Sequence, residues 1–132
     1  TMMNAVDIQT ALQSLGKLDI TDRTTSQDAG AAIEMLGDFN QCMVGLVCFS
    51  GATPWERHPH AEFLHVQEGA VMLTLLAEDG VRQLNLQAGS MFIVPASLWH
   101  KQFSRDGVKL LFITSREGNE DSTAEDPRLT KT

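Results

Sequence analysis

The chain is expected to fold as an all-β barrel or sandwich, on three observations. Between residues 18 and 115 it reads as roughly eight or more short apolar runs separated by turn signals. Only residues 4–15 carry a helical repeat. At 132 residues the chain is one domain of ordinary size, long enough to enclose a core.

Ile8, Leu12 and Leu15 recur at spacings of four and three, and Gly16 follows as a stop. This predicts a short amphipathic helix over 4–15, packed on the domain or on a second subunit. Residues 18–25 and 31–36 read as strands, and Gly37-Asp38-Phe39-Asn40 as a turn. Residues 41–49 form a strongly apolar strand. Residues 63–67 and 70–77 follow, split by Glu68-Gly69, and Glu78-Asp79-Gly80 turns into 81–86. Ala88-Gly89 turns into 91–94, Pro95 interrupts, and strands resume over 99–103 and 108–115. The chain thus divides into an N-terminal helical segment (1–17), a barrel (18–116) and an acidic polar tail (117–132). The tail has almost no apolar content, so it is expected to be mobile or to lie over a neighbouring surface.

Hydrophobic residues make up 42% and charged residues 20% of the chain, as in a soluble globular protein. With 10 basic against 17 acidic residues the net charge is -7, which excludes ordinary nucleic-acid binding. It favours a small-molecule or protein partner. No apolar run is long enough to span a bilayer and no basic-then-apolar signal opens the chain, so a cytoplasmic protein without membrane association is expected. Thr1 before Met2 and Met3 reads as an added residue ahead of a native start. Cys42 and Cys48 lie six apart in one apolar run. On a strand that is roughly 20 Å, too far for a disulfide, and it suggests buried thiols in a reducing compartment.

Chemistry concentrates in Trp55-Glu56-Arg57-His58-Pro59-His60-Ala61-Glu62, with His100 about forty residues on. Residues i, i+2, i+4 and i+6 of an extended strand share a face, so Glu56, His58, His60 and Glu62 could all point one way. The chain has only 4 His, and burying such a cluster is costly without a partner that uses it. A divalent metal is the simplest partner, and mixed imidazole and carboxylate ligands suit Fe, Mn, Ni or Zn without selecting among them. His65 is out of phase with Glu62 and should face outward. Trp55 and Trp99 flank Glu56 and His100 and are expected to pack. Phe39, Met43, Phe49, Met72, Phe92, Phe103 and Phe112 are candidates to line the cavity. No Tyr is available as acid or base, and no Ser-His-Asp arrangement is present.

Three residues separate His58 from Glu62, and six separate Glu62 from Gly69. Five separate Gly89 from Pro95; Ser97 follows, then two residues and His100. In this order and spacing, with 19 residues between Gly69 and Gly89, the chain resembles the cupin family. The family's first motif places His-x-His and Glu between two glycines, and its second runs Gly, Pro-x-Gly, His, Asn. The resemblance covers about residues 41–115 and implies a jelly-roll β-barrel with one divalent metal inside. It is similar to small single-domain cupins of bacteria whose reactions are mostly unassigned. Three positions depart from the pattern. Glu56 stands where the family's first His is expected, Ser97 replaces the Gly after Pro95, and Ser104 replaces the terminal Asn.

The resemblance implies Glu56, His58, Glu62 and His100 as metal ligands, with His60 as the alternative to Glu56. It implies a metal-dependent enzyme on a small molecule (dioxygenase, isomerase or lyase), with Glu56 free to act as general base. A non-catalytic binder of a sugar or small acid, and a vestigial site, stay open beside it. A homodimer is expected, because residues 41–49 read as a strand covered on both sides.

Overall fold

Two long strands organise the molecule. The computed structural model describes residues 3–129, with Thr1, Met2 and the last three residues of the expected tail outside that range. In chain order the elements are α1 (Ile8–Gln13), β1 (Leu18–Asp19), α2 (Ser26–Ala31), β2 (Ile33–Phe39), β3 (Cys42–Ala52), β4 (Trp55–Arg57), β5 (Glu62–Ala77), β6 (Gly80–Gln87), β7 (Met91–Val94), β8 (His100–Ser115) and β9 (Glu120–Ser122). A single 3-10 turn, Pro127–Leu129, follows. β8 lies between β3 and β5, and β5 also pairs with β6 and β7. β2 extends the sheet beyond β3, β1 joins β3 in parallel, and β4 links β8 to β9. The sheet curls into the all-β, jelly-roll architecture expected of the sequence.

The expected breaks at Glu68-Gly69 and after residue 103 do not end strands. They are bends within β5 and β8, where the pairing shifts register between Val66 and Glu68 and between Gly69 and Met72. Gly69 has φ 79°, and a Cβ there would overlap the carbonyl of Gly107 on β8. The bend lets one strand serve two neighbours. The first half of β5 pairs with β7, and the second half with β6.

The segment expected as strands over 18–25 and 31–36 contains a helix instead. Thr25 and Asp28 form a reciprocal capping box that opens α2, and β2 begins only at Ile33. The cue Thr25-Ser26-Gln27-Asp28 was in the sequence. The expected Gly37–Asn40 turn contracts to Asn40-Gln41, with Asn40 at φ 56°, while Gly37 sits next to a bulge in β2. α1 is shorter than expected because Asp7 caps it, accepting from the Gln9 and Thr10 amides.

Inside the curl, Phe49, Leu64, Val66, Val71, Leu73, Val94, Val108, Leu110 and Phe112 form the main core. Met43 and Phe92 pack against it, but Phe39 and Phe103 are exposed, contrary to expectation, because they fall on the outer phase of their strands. The outer face of β3 is also covered, but by this chain's own helix: Ala11 and Leu12 of α1 bury Leu46. The two-sided cover expected from a second subunit is thus supplied by α1. Cys42 and Cys48 are free thiols. No helix among the described residues is long and apolar enough to cross a membrane.

The acidic segment beyond residue 116 docks. β9 pairs with β4 in the register Trp55↔Ser122, Glu56↔Asp121 and Arg57↔Glu120. The Trp55 indole N–H donates to the Glu125 carbonyl at 3.3 Å, and Pro127 is buried.

Candidate metal centre

The candidate ligands come from four places in the fold. Glu56 is central in the short strand β4, where it faces His100 at the start of β8. His58 follows β4, Glu62 opens β5, and Thr114 ends the inner face of β8. The single extended face proposed for Glu56, His58, His60 and Glu62 does not exist. β4 stops at Arg57, and the turn over 58–61 carries Pro59 before β5 begins at Glu62. His58 and Glu62 fall inward on either side of this turn, while His60 between them is exposed. Its backbone N–H is spent on the Ser115 hydroxyl at 3.1 Å. His65 lies in the outer phase of β5, against the Gln67 amide at 2.6 Å.

The structure brings Glu56, His58 and His100 together, each offering one atom within 4.8 Å of the others. Glu62 lies among them. Its Oε1 is 3.0 Å from His100 Nε2 and 3.5 Å from His58 Nε2. Its Oε2 accepts from the Thr114 hydroxyl, which fixes the carboxylate plane. Thr114 was not identified from the sequence, since a strand Thr carries no signal of its own. Glu56 Oε1 is 3.9 Å from His58 Nε2, and its side chain keeps 36% exposure, against 7% for Glu62. Glu56 therefore sits at the mouth of the site and Glu62 at its floor.

Ring orientation follows from the hydrogen bonds. His100 Nδ1 is 2.9 Å from the Leu98 carbonyl, which can only accept, so Nδ1 carries a proton. His58 Nδ1 is 2.9 Å from Asn119 Oδ1, and Asn119 Nδ2 donates to the Ser115 carbonyl at 2.8 Å. The amide is thereby oriented, and His58 Nδ1 must donate to it. Both Nε2 atoms consequently turn toward the two carboxylates. In neutral rings these are lone pairs aimed at anionic oxygen, and His58 Nε2 is buried with no hydrogen-bond partner. A proton or a cation placed between these Nε2 atoms and Glu62 would satisfy both.

The titration behaviour has the same origin. Burial pushes the Glu62 carboxyl up, but His100 at hydrogen-bond distance and the nearby His58, as imidazolium groups, outweigh it and hold the group at about 2. Burial pushes the His58 imidazole down, yet the Glu62 carboxylate at 3.5 Å, with Asn119, raises it overall. Burial and the Glu62 charge raise the Glu56 carboxyl.

The donor set fits a metal. Two imidazoles and two carboxylates would leave a divalent ion near neutral; the separations of 3.0 and 3.5 Å between Glu62 and the imidazoles are close to those of neighbouring ligands around one ion, and Glu56 stands farther out, 3.9 Å from His58. Ligands at about 2.1 Å from a common centre stand roughly 3.0–3.4 Å apart.

An open cavity of about 350 Å³ is lined by Arg57, Leu76, Ser97, Leu98, Trp99, Pro127 and Arg128, none of them a candidate ligand; Arg57 and Trp99 alternate with Glu56 and His100 along their strands and so belong to the outer face. Trp55 and Trp99 are buried with Leu76, as packing predicts, and the Arg57 guanidinium lies 4.7 Å over the Trp99 ring. Ser97, where the resemblance expects Gly, adopts φ 66°, and its N–H donates to the His58 carbonyl at 2.7 Å. A left-handed residue is retained here where it anchors the His58 backbone.

Comparison with known proteins agrees with this architecture. The family model described as Cupin domain matches residues 46–114. A cupin-2 domain containing protein from Shewanella frigidimarina superposes with a TM-score of 0.63 at 20% identity, covering 84% of this chain and 94% of that one. A Neisseria meningitidis protein superposes with a TM-score of 0.61 at 20% identity, covering 85% and 99%. Hydroquinone 1,2-dioxygenase from Sphingomonas, solved with 4-hydroxybenzoate bound, superposes with a TM-score of 0.54 at 15% identity, covering 62% and 64%. No curated protein matches the chain in sequence.

Proposed function

The chain belongs to the cupin family, and from that premise we propose that it is a metal-dependent enzyme acting on a small molecule. In this reading Glu56, His58, Glu62 and His100 hold one divalent transition metal ion, of the iron, manganese, nickel or zinc class. The supporting observation is the pair of Nε2 lone pairs aimed at Glu62 while both Nδ1 atoms are already spent as donors. When bound, the ion supplies a Lewis acid for a substrate oxygen.

The chain's own residues divide the remaining work. Thr114 and the two imidazoles hold Glu62 ionised and immobile. Glu56, more exposed and with a raised carboxyl, is the group suited to take and return a proton at the mouth.

Elemental analysis by mass spectrometry, on untagged protein purified without added metal or chelator, tests the metal. Near one iron, manganese, nickel or zinc per chain is expected. No metal, with none taken up on reconstitution, would turn the cluster into a polar pocket and the protein into a binder of organic ligands.

A cytoplasmic homodimer completes the proposal. The free thiols Cys42 and Cys48 suit a reducing compartment. β2 forms an edge that leaves Ile33, Met35 and Phe39 exposed, and a second copy would cover them. Light scattering at micromolar concentration should give twice the chain mass, and a monomer would refute it.

A further inference from the structure

Of the contacts around the candidate centre, the one to Asn119 comes from outside the barrel. Asn119 lies just before β9, in the acidic segment that pairs with β4. Its residue surface is exposed, yet its amide oxygen reaches the Nδ1 of buried His58 at 2.9 Å. The other end of the amide donates to the carbonyl of Ser115 at 2.8 Å. Ser115 is wholly buried, and its hydroxyl also holds the His60 amide. The amide is thus a fixed bracket between the end of β8 and the His58 ring.

The bracket matters because Glu62 competes for the same imidazole proton. Its Oε1 stands 3.5 Å from His58 Nε2, and a carboxylate is a stronger acceptor than a neutral amide. Without Asn119, a neutral His58 would place its proton on Nε2 and donate to Glu62. That proton would occupy the lone pair a metal needs. The Ser97 amide holds only the His58 main chain, so it does not choose the tautomer. We propose that Asn119 is a positioning residue that keeps the His58 proton on Nδ1 and so aims the Nε2 lone pair into the centre. The acidic segment is then part of the centre, although it contributes no ligand.

That Asn119 tunes metal affinity rests on the metal reading above; that it sets the tautomer does not. Outer partners of metal-bound histidines commonly change affinity by about 10–100-fold. An amide also accepts the proton without adding a third negative charge to Glu56 and Glu62, which would favour the imidazolium over the metal.

Two measurements separate these parts. Nitrogen-15 NMR of the metal-free protein, above the pH at which His58 titrates, reads the tautomer. The native chain should show the Nδ1–H form, and Asn119→Leu the Nε2–H form. Zn(II) competition titration reads affinity. Asn119→Leu should bind about 10–100-fold more weakly. The Nδ1–H tautomer persisting in folded Asn119→Leu would overturn the inference, whether or not metal binds. So would native affinity in Asn119→Leu. A native chain that binds no Zn(II) would overturn the metal reading alone, and the tautomer would still decide the role of Asn119.

Discussion

His100→Ala is expected to lower the metal content from near one ion per chain to roughly a tenth or less, since even outer-shell losses weaken binding 10–100-fold. His100 is the only proposed ligand from β8; Glu56, His58 and Glu62 all come from β4, β5 and the turn between them. Those three alone lie along one side of the site, and β8 closes it. The ring is 1% exposed, and its Nδ1 is held by the Leu98 carbonyl. The substitution also leaves the Glu62 carboxylate without its shortest contact to an imidazole, at 3.0 Å. A loss of about 2–4 kcal/mol in folding stability should therefore accompany it. Metal stoichiometry is measured on protein that circular dichroism shows to be folded, with His65→Ala as the control from the outer phase of β5. Unchanged stoichiometry in His100→Ala would refute the proposed ligand set.

Acidifying the metal-free protein should remove about 3 kcal/mol of stability through Glu62 alone, because each tenfold gain in acidity on folding is worth about 1.4 kcal/mol. The Glu62 carboxyl sits at about 2 in the folded chain against 4.5 for a free side chain. Its contribution is complete above 4.5 and disappears as pH falls toward 2. His58 has the opposite sign. Its folded value is raised above 6.5, so its contribution is complete below 6.5 and is lost as pH rises through the folded value. From these two groups, metal-free protein is most stable between about pH 4.5 and 6.5. A bound divalent ion takes the place of the proton between His58 and Glu62, and should extend stability into the alkaline range. Urea unfolding from pH 2.5 to 8.5, with and without Zn(II), measures both limbs, and Glu62→Gln should flatten the acid one. Superimposable profiles with and without Zn(II) would count against the centre.

Much of this architecture was legible in the residues, because the signals are local or nearly so. Apolar runs bounded by Gly, Pro and Asp mark strands wherever a sheet buries one face, and 8 of the 9 strands among the described residues lie between residues 18 and 116. The spacing from His58 to Gly69 and from Gly89 to His100 is a property of two hairpin-sized segments, so the resemblance could be read without knowing their arrangement. What was misread is equally specific. Glu68-Gly69 and the stretch 104–107 looked like strand ends, but a glycine such as Gly69 serves a bend inside a strand just as well. The capping box at Thr25 opens a helix between two segments that read as strands.

Composition and spacing by themselves determined the fold class, the cupin resemblance and the shortlist of Glu56, His58, His60, Glu62 and His100. Tertiary structure decided which of these meet. The period of two along a strand holds only while the chain stays extended, and the turn at Pro59 ends that phase, sending His60 to the surface while His58 and Glu62 converge. Thr114, half a chain away from the His58 motif, and Asn119, in a segment with no apolar rhythm, reach the site only because β8 and β9 close against β4 and β5. No local pattern in a sequence encodes that closure, since it depends on which strands pair and in which register.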